Sequence, residues 1–211
     1  MNRDIEFKAL LRAFRSGIIT EQTFEDEMAM LERAGASTNG TAGGSGFHAF
    51  GRTYHSERAA IISFLDKVRA GEANGGEAFA AWADACTTDC LRTGLRVIAE
   101  REAYHSRVFA QRVAELGGEQ RAAATDGGQK FTAYLGDRNI PDTEKLLSFT
   151  KRVGKPEDAV NPICEFANLI KEDLGTREAL RLFAEDELST AKWLWDSCAA
   201  LNAAGSKAAS M

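Results

Sequence analysis

Glu102-Ala103-Tyr104-His105 is the stretch of this chain best suited to chemistry. On a helix, residues three apart share a face, so a carboxylate oxygen and an imidazole nitrogen can reach one ion. A related stretch follows 85 residues later. RTGLRVIAEREAYHSRVF (Arg92 to Phe109) aligns with REALRLFAEDELSTAKWL (Arg177 to Leu194) at six of 18 positions: Arg92/Arg177, Leu95/Leu180, Arg96/Arg181, Ala99/Ala184, Glu100/Glu185 and Glu102/Glu187. Chance would give about one match. The same shift sets Gly71-Glu72 on Pro156-Glu157. Two helical hairpins of common design account for this most simply, and two such hairpins make a four-helix bundle.

The elements that must position these groups follow from periodicity. A buried stripe advances in alternating steps of three and four. It reads Ile61, Leu65, Val68, Glu72, Gly75, Phe79, Trp82 and Cys86 in the first helix, and Leu91, Leu95, Ile98, Glu102, His105 and Phe109 in the second. The third gives Leu146, Thr150, Val153, Glu157, Val160, Cys164 and Ala167, and the fourth Thr176, Leu180, Phe183, Glu187, Thr190, Leu194 and Leu201. Each helix is thus expected to aim one Glu inward. Converging carboxylates in an apolar interior must be protonated, paired or bound to cations, and a divalent metal is the economical solution.

With Glu-x-x-His on the seam of a duplicated helical hairpin, the chain resembles the ferritin-like superfamily of rubrerythrins, bacterioferritins and di-iron carboxylate hydroxylases over roughly Ser56 to Ala203. The Gly71-Glu72 start, the following Gly75-Gly76 and the spacing to Glu102 also resemble the demethoxyubiquinone hydroxylase branch. The resemblance implies an all-α ferritin-like four-helix bundle binding one or two iron or manganese ions, with Glu from two helices and Glu-x-x-His from two others. Carried over, it makes Glu72 a terminal ligand, Glu102 a bridge and His105 the nitrogen ligand, with Glu157 terminal and Glu187 bridging on the other half. The second His is replaced by Thr190, a poor ligand beside imidazole. Three readings stay open: an asymmetric di-metal or mononuclear site, a decayed metal-free core, and a di-iron site completed elsewhere by a fold-back of His48 or His55.

Metal-free accounts exist for each residue. Glu102, His105, Glu187 and Thr190 can form a satisfied polar network. Pro156 and Asn161-Pro162 mark possible starts of the third helix, and a start at Pro162 makes Glu165 the inward carboxylate instead of Glu157. Glu77, Glu100 and Glu185 lie off the stripe, and Trp82, Trp193 and Trp195 read as packing anchors. The functional expectation is a non-haem iron or manganese oxidoreductase or iron-handling protein, with a metal-free scaffold or interaction module as the alternative.

The 211 residues, 44% of them hydrophobic, suffice for one sizeable core, and 26 Lys+Arg against 31 Asp+Glu leave a net charge of −5 without a basic block. Nucleic acid is therefore not an expected partner. No apolar run reaches the roughly 18–20 residues of a membrane span, and Met1 to Glu6 leads into charged sequence, so a cytoplasmic protein is expected, without membrane association. Cys86, Cys90, Cys164 and Cys198 include no CxxC pair and read as buried thiols. Residues 1–34 read as a helical hairpin appendage, 35–47 as a flexible Gly/Ser linker, 56–203 as the bundle and 204–211 as a flexible tail. The small hairpin needs something to dock on, which gives the expectation of a homo-oligomer (dimer), through it or the helices, or of a protein partner.

Overall fold

A computed structural model describes residues 46–208 and, before them, Phe24. The expected hairpin over 1–34, Phe24 apart, and the linker through residue 45 lie outside the described residues. The order is β1 (Phe47–Ala49), β2 (Arg52–Tyr54), α1 (Glu57–Ala85), α2 (Asp89–Glu115), α3 (Asp126–Gly136), α4 (Asp142–Val153), α5 (Pro156–Leu169) and α6 (Leu174–Ala208). The chain is mostly helical, as the periodicity predicts, and α6 continues to Ala208, past the expected end of the helical domain at Ala203. No helix among the described residues is long and apolar enough to cross a membrane.

Helix α1 packs along α2 and α3, while α6 packs against α5 and α4. Ser56 caps α1 by accepting from the Ala59 amide at 3.1 Å, which satisfies one of the helix's free first-turn donors. Gly76 of α1 serves close approach: a Cβ there would sit 3.2 Å from the Ala99 carbonyl oxygen of α2 and 3.3 Å from the Ala103 amide nitrogen. Two apolar clusters result. One joins Ile61, Phe64 and Leu65 to Phe109, Phe166, Leu180 and Phe183, and the other joins Phe79 and Trp82 to Leu91, Leu95, Leu146 and Leu194.

Three departures from the sequence expectation have local causes. Residues 47–54 pair as an antiparallel hairpin, turning through Phe50 (φ 51) and Gly51 (φ 77). Phe50 holds this left-handed conformation while packed against both Phe64 and Phe166, 5.6 Å from each, which themselves stack at 4.3 Å. The stretch 125–143, which the sequence stripes leave between the second and third helices, contains α3, whose first turn is capped by Thr125 accepting from the Gly128 amide at 3.1 Å. The single third helix is instead α4 and α5, separated at Gly154, where φ of +78 breaks the ladder.

Buried carboxylates hold the connections. Asp142 accepts from Trp82 Nε1 at 2.9 Å and, in the α1–α2 connection, from the Thr87 and Thr88 amides at 3.0 and 2.9 Å and the Thr87 hydroxyl at 3.1 Å. Burial pushes its pKa up, but these donors outweigh burial and hold it down at about 2. Asp142→Ala is expected to lower the unfolding free energy at pH 7 by about 3 kcal/mol, because it removes charge-assisted bonds and strands their donors. Since the folded value is depressed, the stabilisation is present above about pH 4 and is lost as pH falls through about 2. Urea titrations of both proteins between pH 2 and 7 would measure this, with the difference shrinking at the acid end.

Candidate metal centre

A polar layer lies between the two apolar clusters. Along α2, buried Ile98 precedes it and buried Phe109 follows it, and along α6 Phe183 and Leu194 flank it in the same way. Helix α1 contributes Glu72, α2 contributes Glu102 and His105, and α6 contributes Glu187 and Thr190. Glu72, Glu102, His105 and Thr190 are buried, and Glu187 is partly buried with its side chain 20% exposed. Gly75 makes room for this layer, since a Cβ there would sit 2.5 Å from Glu102 Oε2.

His105 is the hub. Its Nδ1 lies 3.2 Å from Glu72 Oε2 and 3.6 Å from Glu187 Oε1. Its Nε2 lies 3.1 Å from Asp186 Oδ2, and its ring meets Phe183 edge to face at 4.9 Å. One donor atom from each of Glu72, His105 and Glu187 falls within 4.8 Å of the others. Glu187 Oε1 is buried and has no hydrogen-bond partner, which is costly for a carboxylate oxygen unless a cation meets it.

The electrostatics express the same conflict. Burial, followed by the charge of Glu187, pushes the Glu72 pKa well up, against opposing help from a hydrogen bond to Glu102 and from Arg101. Burial and then the charges of Glu72 and Glu187 push Glu102 well up too. Burial raises Glu187 to about 7, although His105 and Arg101 favour its ionised form. Without a further cation, the cluster holds protons that ordinary carboxylates release.

The structure thus brings Glu72, Glu102, His105 and Glu187 together, but not Glu157. Helix α5 begins at Pro156, so Glu157 sits in its first turn, exposed and 3.9 Å from Lys192 Nζ. The register expected from α4 does not survive the break at Gly154, and an acidic first turn suits the positive end of the helix. Glu165, the alternative, is half-buried on α5 and outside the Glu72–His105–Glu187 group. His48 and His55 are exposed, and His48 pairs with Thr53 Oγ1 at 2.8 Å, so no fold-back completes a second nitrogen site.

Two residues at the centre were not foreseen. Asp186 contacts the outer nitrogen of His105, and Arg101 Nη2 donates to Thr190 Oγ1. Each precedes a stripe carboxylate, Glu187 and Glu102 respectively, and so falls off the periodic pattern. No family model, curated protein or solved structure matches the chain, so the chemistry of the centre is argued from its own geometry.

A raised carboxyl value gives the metal-free fold a stability that is complete at low pH and is lost as pH climbs from about 4.5 through about 7, where the unfolded chain ionises more readily. Chelator-treated protein is therefore expected to lose roughly 2 kcal/mol of unfolding free energy between pH 5 and pH 8 from Glu187 alone. Urea unfolding at the two pH values checks this, and Glu187→Gln is expected to flatten the decline.

Proposed function

We propose that the chain is a ferritin-like metal protein, a non-haem iron or manganese oxidoreductase or iron-handling protein. In this reading α1 and α2 form one hairpin of a four-helix bundle, α4–α5 and α6 form the other, and the ion sits among Glu72, His105 and Glu187 with Glu102 beside it. The observation that carries the reading is the buried, unpartnered Glu187 Oε1 opposite His105 Nδ1. Ligand atoms about 2.0–2.2 Å from a common ion stand at most about 4.4 Å apart, close to the spread found here. Mixed carboxylate and imidazole donors suit iron or manganese.

The chain's own residues divide the work. Asp186 accepts from His105 Nε2, which leaves the Nδ1 lone pair facing the cluster and makes it more basic. Glu72 and Glu187 offset the ion's charge, and Phe109 and Phe183, 4.9 Å apart, help to seal one side against water. When bound, the metal supplies a redox couple able to pass electrons to dioxygen or peroxide.

Arg101 and Thr190 favour a second reading, a metal-free scaffold in which the guanidinium is the compensating charge. In that case Glu102→Leu would leave stability unchanged or raise it, since replacing poorly compensated buried polar groups is often neutral.

Metal analysis of protein expressed with iron and manganese supplements distinguishes the two. The metal reading expects near-stoichiometric iron or manganese, lost in His105→Ala and Glu187→Ala but kept in Glu157→Ala, whose side chain is exposed. Fully folded protein that stays metal-free after anaerobic loading would contradict it.

A further inference from the structure

The internal repeat reaches beyond the ligands. A shift of 85 sets Arg101 on Asp186, Glu102 on Glu187 and His105 on Thr190. In three dimensions these positions cross-pair between the halves: His105 meets Asp186 through Nε2 at 3.1 Å, and Thr190 accepts from Arg101 Nη2. The two contacts are therefore the same contact under the repeat, with its chemistry inverted. One half has a carboxylate holding an imidazole, which turns a nitrogen toward the cluster. The other has a guanidinium held by a hydroxyl. Thr190 is buried, and Arg101 Nε is buried with no hydrogen-bond partner, as is Glu187 Oε1.

Resting on the metal reading above, we infer that the centre takes a single divalent cation, on the Glu72–His105–Glu187 side, and that Arg101 is the permanent cation of the other half. Arginine suits this role because its guanidinium stays charged at any physiological pH and tolerates burial beside carboxylates better than an ammonium does. The charge of Arg101 favours the ionised forms of Glu72, Glu102 and Glu187. A second divalent ion in the Thr190 half would meet a hydroxyl in place of an imidazole, and it would be repelled by a fixed positive charge. Arg101 is thus a positioning residue that sets metal stoichiometry.

Anaerobic titration of chelator-treated full-length protein with Mn²⁺, following the free-ion signal by electron paramagnetic resonance, reads the number of sites. Wild type is expected to saturate at one ion. The double variant Arg101→Asp/Thr190→His, which restores the acid–imidazole pair, is expected to saturate at two, with a spin-coupled signal. Thr190→His alone, which keeps the fixed charge of Arg101, provides an independent readout and is expected to stay at one ion. Two wild-type ions of similar affinity would overturn this inference and leave the metal reading standing. A folded double variant that stops at one ion, or a second ion bound by Thr190→His alone, would overturn it as well. No binding by wild type would overturn the metal reading itself.

Discussion

Three glutamates facing one another in an interior walled by apolar side chains form the constraint on which this structure turns. Separately, each would cost several kcal/mol to bury ionised; together they also repel. The fold supplies some relief through Arg101 and His105 and through a hydrogen bond between Glu72 and Glu102. The relief is incomplete, because Glu187 Oε1 is left without a hydrogen-bond partner. The apolar clusters on either side limit the water that can screen the charges of Glu72 and Glu102, so a cation entering there would be held more strongly than at the surface.

The other buried or half-buried acids of the fold are satisfied differently. Glu57 accepts from the Lys171, Glu172 and Asp173 amides at 2.7, 2.9 and 2.9 Å and so secures the entry to α6. Asp66 accepts from the Arg121 and Ala122 amides at 2.9 and 2.7 Å and ties down the chain after α2. Asp173 pairs with Arg112 at 2.8 Å. All are acids saturated with donors, and their role is to hold loops. The glutamates of the central layer lie mid-helix, where neighbouring amides are already engaged in the helical ladder and unavailable to them. Similar side chains thus serve as loop clamps where the free amides of a connecting segment reach them and as candidate ligands where helices alone surround them.

Much of this was legible from spacing, and the exceptions are informative. The run Leu91 to Phe109 is buried at every stripe position, because a long uninterrupted helix keeps its register and a 3.5-residue period then identifies the inward face. The same logic failed for Glu157, since one glycine with positive φ reset the register between α4 and α5. The β-hairpin escaped notice because its turn is Phe50-Gly51 rather than a pair with a strong turn signature, and it is held by aromatic stacking on residues far along the chain. Helix α3 opens Asp-Gly-Gly, a composition that reads as loop. Asp186 and Arg101 were invisible to stripe counting because each reaches across to the opposing helix from beside the seam. The internal repeat was the one signal that could have found them, since it pairs them with each other.

The central claim is that His105 turns a nitrogen toward a cation held by the buried glutamates. Electron spin-echo modulation of Mn²⁺-loaded protein tests it most directly, because it detects nitrogen bonded to the ion. The account predicts modulation from one directly bound imidazole nitrogen that disappears in His105→Gln. Bound Mn²⁺ showing no nitrogen coupling, or coupling that persists in that variant, would contradict it.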